Sequence, residues 1–248
     1  GSIMTTGREG YGILNFGDSN ETTVSGSIET AGDLAYGIAS DGDSNKTTMF
    51  GSITTTGDTA HGIYNFGDSN ETTVSGSITT TGVGSDGVLA EGNENATTLS
   101  GTIATTGNSS IGINNGGNSN TTDVSGSIAM TGNDIGGIQN LGNTNTTTVS
   151  GSISVAGTDA FGISNNGDNN AVTISGTVKA TGTNTNALEN NSGAGNSFTL
   201  DEGATIIGKI TAFFPATNNQ LTFNLGQDIS YAYSVGGNGV GIGDGEWT

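Results

Sequence analysis

Apolar and polar positions along this chain recur with a period of 25 residues. The repeats open at Gly1, Gly26, Gly51, Gly76, Gly101, Gly126, Gly151 and Gly176. Counted from that glycine, position 3 is Ile3, Ile28, Ile53, Ile78, Ile103, Ile128, Ile153 and Val178. Position 13 is Ile13, Ile38, Ile63, Val88, Ile113, Ile138, Ile163 and Leu188, and position 24 runs from Val24 to Ile174, always aliphatic or Met. The first seven repeats reach Ser175 without an insertion or deletion. A strict short period of this kind marks the coils of a stacked solenoid, each burying a thin layer against its neighbours.

Each coil reads as three short strands joined by three corners, with one aliphatic ladder per strand pointing inward. Strand residues alternate faces, so positions 5 and 22 are also expected inside. Substitutions agree: position 5 is mostly Thr but becomes Met130 and Val155, and position 22 becomes Val172. Position 23 tolerates Asp123 and is expected outside. Thr and Ile favour strands, and this density of Gly, Thr and Asn rules out helix.

Glycine marks the corners, at position 7 in all eight copies (Gly7 to Gly182) and at position 17 in seven (Gly17 to Gly167). Asn holds position 20 at Asn20, Asn45, Asn70, Asn95, Asn120, Asn145 and Asn170. Gly and Asn accept the positive φ that a sharp corner demands, so these columns are expected to turn the chain. Stacked about 4.8 Å apart, the Asn side chains are further expected to bond amide to amide along the axis. Residues 1–200 thus form eight regular coils, the eighth loosened by one extra residue near Gly193-Ala194-Gly195. Residues 201–248, richer in large apolar side chains, form less regular β-coils of the same solenoid.

Composition narrows the function. Net charge is −19, from 4 Lys+Arg against 23 Asp+Glu, which excludes nucleic acid as a partner because phosphate contacts need Lys and Arg. With no Cys there is no disulfide framework, thiol nucleophile or Cys-based zinc site. No run of about 18 apolar residues exists to form a membrane-spanning helix. The chain reads as a piece of something longer.

The tandem coil GSITTTGDTAHGIYNFGDSNETTVS (Gly51 to Ser75) and the tail segments GATIIGKI, NNQLTFNLG and SYAYSV resemble the passenger of a type V autotransporter. The resemblance covers essentially the whole chain, through motifs of low complexity. It implies a right-handed parallel β-helix displayed extracellularly on a Gram-negative cell. It also implies attachment to the outer membrane through a barrel absent from this chain. Passengers of this family include adhesins, proteases, esterases and toxins, so the fold leaves the activity open.

No catalytic constellation stands out, and neither a cofactor nor a metal is expected. His61, the one histidine, shares its column with Tyr11, Tyr36 and Phe161, which suits a wall residue better than a catalytic base. The Asp18, Asp43 and Asp68 column would space carboxylates about 5 Å apart, as in retaining glycosidases, or offer oxygens to Ca²⁺. A Gly corner, however, selects Asp and Asn for its own geometry. Asn-x-Thr recurs at the position-20 column and matches the glycosylation acceptor pattern, but a corner Asn followed by a strand Thr gives the same text. Outward Thr pairs of the kind that bind ice occur only at Thr54/Thr56 and Thr79/Thr81. Aromatic residues gather in the first three coils, at Tyr11, Phe16, Tyr36, His61, Tyr64 and Phe66. If exposed, they would form a contact surface for protein or sugar. The reading is a non-enzymatic adhesive or self-associating surface rod whose partner is a host or cell-surface protein or glycan. The alternatives are a polysaccharide-cleaving β-helix, a passive spacer stalk and an ice-binding solenoid.

Overall fold

The computed structural model describes residues 1–213 and 216–224. The tail motif SYAYSV (230–235) and the end of NNQLTFNLG lie outside those residues. Among the described residues every regular element is a strand, and the strands form three parallel sheets of nine. Each coil gives one strand to each sheet. In the first coil these are Ser2–Thr5, Ile13–Phe16 and Glu21–Val24. Partners lie 25 residues apart, as in Ile3↔Ile28, Ile13↔Ile38 and Val24↔Met49. The expected solenoid with three strands per 25-residue coil is the observed fold.

The described part of the tail continues the same three sheets as a ninth coil, through Thr205–Ile207, Lys209–Ala212 and Gln220–Asn224. Its offsets are irregular: Val178 pairs Ile206, Leu188 pairs Ile210 and Phe198 pairs Leu221. The extra residue of the eighth coil falls between Asn190, still partnered 25 residues back by Asn165, and Phe198, which partners Val172. Gly193 and Gly195, both at positive φ, absorb it in the corner and spare the strands.

The three aliphatic ladders meet on the axis. Ile28, Ile53, Ile78, Ile103, Ile128, Ile153 and Val178 are fully buried, as are the position-13 and position-24 residues from the second coil onward. Each such side chain contributes about 1.5–3 kcal/mol before entropy. Two glycine columns owe their identity to close approach. A Cβ on Gly57 would run into the carbonyl oxygen of Gly32 one coil back, and one on Gly62 into the Ile78 side chain. Where positive φ occurs in the corners, it belongs mainly to positions 9 and 19, at residues such as Thr59, Ser44 and Ser69, and to Gly17, Gly42, Gly67 and Gly92. The position-20 Asn residues do not adopt it, so their role is different from the one expected.

That role is hydrogen bonding between coils, with a geometry unlike the expected stack of amides. The Oδ1 of each position-20 Asn accepts the backbone N–H of the Asn one coil before it. Asn45 donates to Asn70 at 2.8 Å and Asn95 to Asn120 at 2.7 Å. The Nδ2 groups of Asn20, Asn45 and Asn95 turn to corner carbonyls, as from Asn45 to Gly42 at 2.9 Å, whereas those of Asn70, Asn120, Asn145 and Asn170 have no partner. A true amide-to-amide ladder does exist, at position 15, where Asn115 donates to Asn140, Asn140 to Asn165 and Asn165 to Asn190 at 2.8–3.0 Å inside the rod.

The first corner has two designs. In coils 1–4 the position-5 Thr hydroxyl donates to the position-10 carbonyl: Thr5 to Gly10, Thr30 to Ala35, Thr55 to Ala60 and Thr80 to Ser85. In coils 6–8 position 5 is Met130, Val155 and Ala180, with no hydroxyl to give. There the position-10 carbonyl takes a backbone N–H from the next coil, Ile135 from Phe161 and Ala160 from Asn186, both at 3.0 Å. The first-sheet strands lengthen accordingly to seven residues: Ser127–Asn133, Ser152–Thr158 and Thr177–Thr183.

Candidate functional site

The aromatic residues singled out in the sequence come together on the outer face of the second sheet and the corner before it. Register does this. Leu14, Ala39, Tyr64 and Leu89 are successive partners in one column, and Phe16, Asp41, Phe66 and Glu91 in the next. Tyr11, Tyr36 and His61 stack at the adjoining corner, with centroids 5.2 Å apart in both steps. Tyr36 also packs on Tyr64 at 5.0 Å, and Tyr64 leads on to Phe66 at 6.3 Å.

Small Ala39 sits between Leu14 and Tyr64, so the surface dips there. The result is an open groove of about 230 Å³ lined by Tyr11, Leu14, Phe16, Tyr36, Ala39, Ser40, Asp41, Tyr64 and Phe66. Phe16 and Phe66 form its walls at 71% and 52% exposure, where a residue serving only the core would be covered. Tyr11, Tyr36 and Tyr64 are half-buried. Two carboxylates stand beside the rings. The Tyr64 hydroxyl donates to Glu91 at 2.6 Å, and Asp41 sits in the Phe16–Phe66 column. Burial first, then the Glu91 hydrogen bond and charge, raise the Tyr64 pKa. Tyr36 moves the same way, through burial and then the charges of Tyr11, Glu91 and Glu9. Sequence reading missed Leu14, Asp41 and Glu91, although their columns are the least repetitive in the coil.

His61 belongs to the wall of this site. It is 6% exposed, and its Nδ1 accepts the Asp86 backbone N–H at 2.9 Å. Burial lowers its pKa to about 4, so it is neutral near pH 7. Asp86 takes the same column one coil on, and its Oδ1 accepts the Ile111 N–H at 2.7 Å. Burial pushes this carboxyl up to about 6, against the lowering effect of the bonds from Ile111 and Asn114. These side chains thus accept position-11 N–H groups in the coils where the position-10 carbonyl is engaged by a Thr hydroxyl. From Gly136 onward the position-10 carbonyl accepts them instead.

The remaining candidates resolve into corner chemistry. Asp18, Asp43 and Asp68 form a column in which each Oδ1 accepts the backbone N–H of the next coil, 2.9 Å from Asp43, 2.8 Å from Asp68 and 2.7 Å from Asn93. Among the described residues no three His, Cys, Asp or Glu side chains are grouped to hold a metal ion. The Asn-x-Thr side chains from Asn45 to Asn145 are buried, so the folded rod hides the amides that glycosylation would modify. Thr54, Thr56, Thr79 and Thr81 lie on the first sheet's outer side, a patch confined to two coils.

Comparison with known proteins yields no match: no family model, no curated protein and no solved structure is significantly similar to this chain.

Proposed function

We propose that this chain is the adhesive rod of a bacterial surface protein of the autotransporter type, with its contact surface on the second sheet in coils 1–3. The observation that carries the reading is the exposed aromatic groove. Further along the same sheet, from the fifth coil on, positions 14 and 16 hold no aromatic: beside Gly116, Leu141 and Glu189 they carry Asn114, Gln139, Ser164, Asn166 and Asn191. Rings in solvent serve the solubility of a rod less well than these amides, and aromatic clusters are enriched where surfaces bind. The acidic remainder of the surface keeps the rod soluble and away from anionic lipid and nucleic acid. On this reading the parallel ladders hold the groove rigid, so little ordering entropy is spent at contact.

The test is display of the chain on bacterial cells with Phe16, Tyr36 and Phe66 replaced by Ser. These positions lie outside the aliphatic core, so the β-sheet circular dichroism signal should persist. Cell aggregation or binding to host surfaces should fall at least tenfold. Undiminished adhesion, at equal display, would overturn the reading and favour a passive stalk.

A further inference from the structure

We propose that the aromatic groove receives an extended, Arg- or Lys-bearing segment of a partner protein; this deepens the function proposed above and rests on it. The argument is charge complementarity on an apolar floor. Asp41 and Glu91 flank the rings in one column, two coils apart. At about 4.8 Å per coil that separation is about 10 Å. Neither carboxylate has a cation of its own chain: the ion pairs among the described residues are Arg8–Glu9 and Lys46–Glu71. Glu91 is held in place by the Tyr64 hydroxyl, which donates to one oxygen and leaves the other open.

A guanidinium or ammonium laid against Tyr36, Tyr64 or Phe66 meets the negative face of a ring within reach of a carboxylate, the arrangement that cation–π contacts favour. Two cationic residues separated by one in an extended strand lie about 7 Å apart, and their long stems span the rest of the distance to both carboxylates. The same features disfavour other occupants. A second copy of this chain brings a net charge of −19 and few cations. A neutral oligosaccharide would use the rings and leave both carboxylates without a counter-charge.

The experiment titrates the intact chain with an eight-residue alternating Arg-Thr peptide at physiological salt, read by calorimetry. A peptide with Gln in place of Arg and a neutral oligosaccharide run alongside. The Asp41→Asn/Glu91→Gln variant keeps an acceptor for Tyr64 and removes two charges. A charge-matched variant, Glu29→Gln/Asp123→Asn, removes two charges from the other two sheets. The expected result is binding of the Arg peptide only, weakened at least tenfold by the groove variant and less than twofold by the control. Equal weakening by both variants would reduce the effect to the general negative field and overturn the proposal. Binding of the oligosaccharide, lost on Phe66→Ser but kept in the charge variant, would overturn the cationic partner while leaving the contact surface standing. Arg-peptide binding that survives replacement of Phe16, Tyr36 and Phe66 would overturn both.

Discussion

Coils 1–4 and coils 5–8 share a register and an aliphatic core, and they differ at almost every other level. In the early coils a Thr hydroxyl closes the first corner, the position-15 column is mixed (Asn15, Ser40, Asn65, Ala90) and the outer face is aromatic or acidic. In the later coils the backbone comes to close that corner, an unbroken amide ladder runs inside, and the outer face of the second sheet carries amides beside Gly116, Leu141, Ser164 and Glu189 but no aromatic. Stacking therefore constrains the inward aliphatics and the glycines at backbone contacts, and leaves the rest free to diverge. Function is best sought where the divergence exposes something that stacking does not require, as Phe66 does.

The sharpest break in the comparison is at position 15. Asn140→Ala removes bonds to Asn115, Asn165 and Thr147 in a buried column. It should cost about 3 kcal/mol, from buried polar atoms left unpaired. Ser40→Ala, at the equivalent site, loses only a 3.4 Å contact from Asn15 and should cost under about 1 kcal/mol. Urea midpoints of the two variants, at unchanged m, should differ accordingly; equal shifts would erase the distinction between the halves.

Asp86, at the boundary, tests the second difference. Its pKa rises on folding from 3.8 to about 6, so ionisation works against the folded state. The penalty is nearly absent below about pH 3, where the group is protonated in both states. It grows as pH rises and is complete above about 6. Asp86→Asn, with the Asn114 amide turned over to accept from it, should therefore stabilise the chain by about 3 kcal/mol at pH 8 and by almost nothing at pH 3. Thermal melts at the two pH values measure this, and a pH-independent gain would sink the account. His61 titrates with the opposite consequence. Its pKa falls from 6.5 to about 4, so stability is lost as pH drops through that window.

Thr55→Val removes the hydroxyl that donates to the Ala60 carbonyl at 2.6 Å and should cost about 1–2 kcal/mol. Chemical denaturation would show it, and no change would mean that the early corner does not depend on its hydroxyls. The smallest effect is Tyr64→Phe. It forfeits an exposed bond to Glu91 and should alter stability by a few tenths of a kcal/mol, within about 0.5.

The period, the three inward ladders and even the site of the extra residue were legible in the sequence, because apolar burial and backbone stacking act on every coil alike. Hydrogen-bond direction was not. Asn95 at position 20 and Asn140 at position 15 look the same in text, yet one caps a backbone N–H and the other joins an amide chain. The choice depends on which way each side chain leaves the coil. The aromatic residues of the site could be gathered from their column positions, but the groove itself needed Ala39. Its significance is what it lacks beside Tyr64, and composition does not display a missing side chain.

The two Asp/Asn columns at the second corner point opposite ways along the axis: the Oδ1 of Asp43 takes an N–H from the coil after it, and that of Asn70 from the coil before it. At this corner coils 2–7 therefore offer the same sockets above and below. At the level of the gene, unequal crossing-over between repeats can add or drop a whole coil without creating a new kind of junction at this corner, moving everything beyond it by about 4.8 Å. Even the one-residue insertion of the eighth coil keeps both sockets, Ala194 giving its N–H to Asp168 and Asn170 to Asn196, so corners take up small slips while whole coils set the length of the rod.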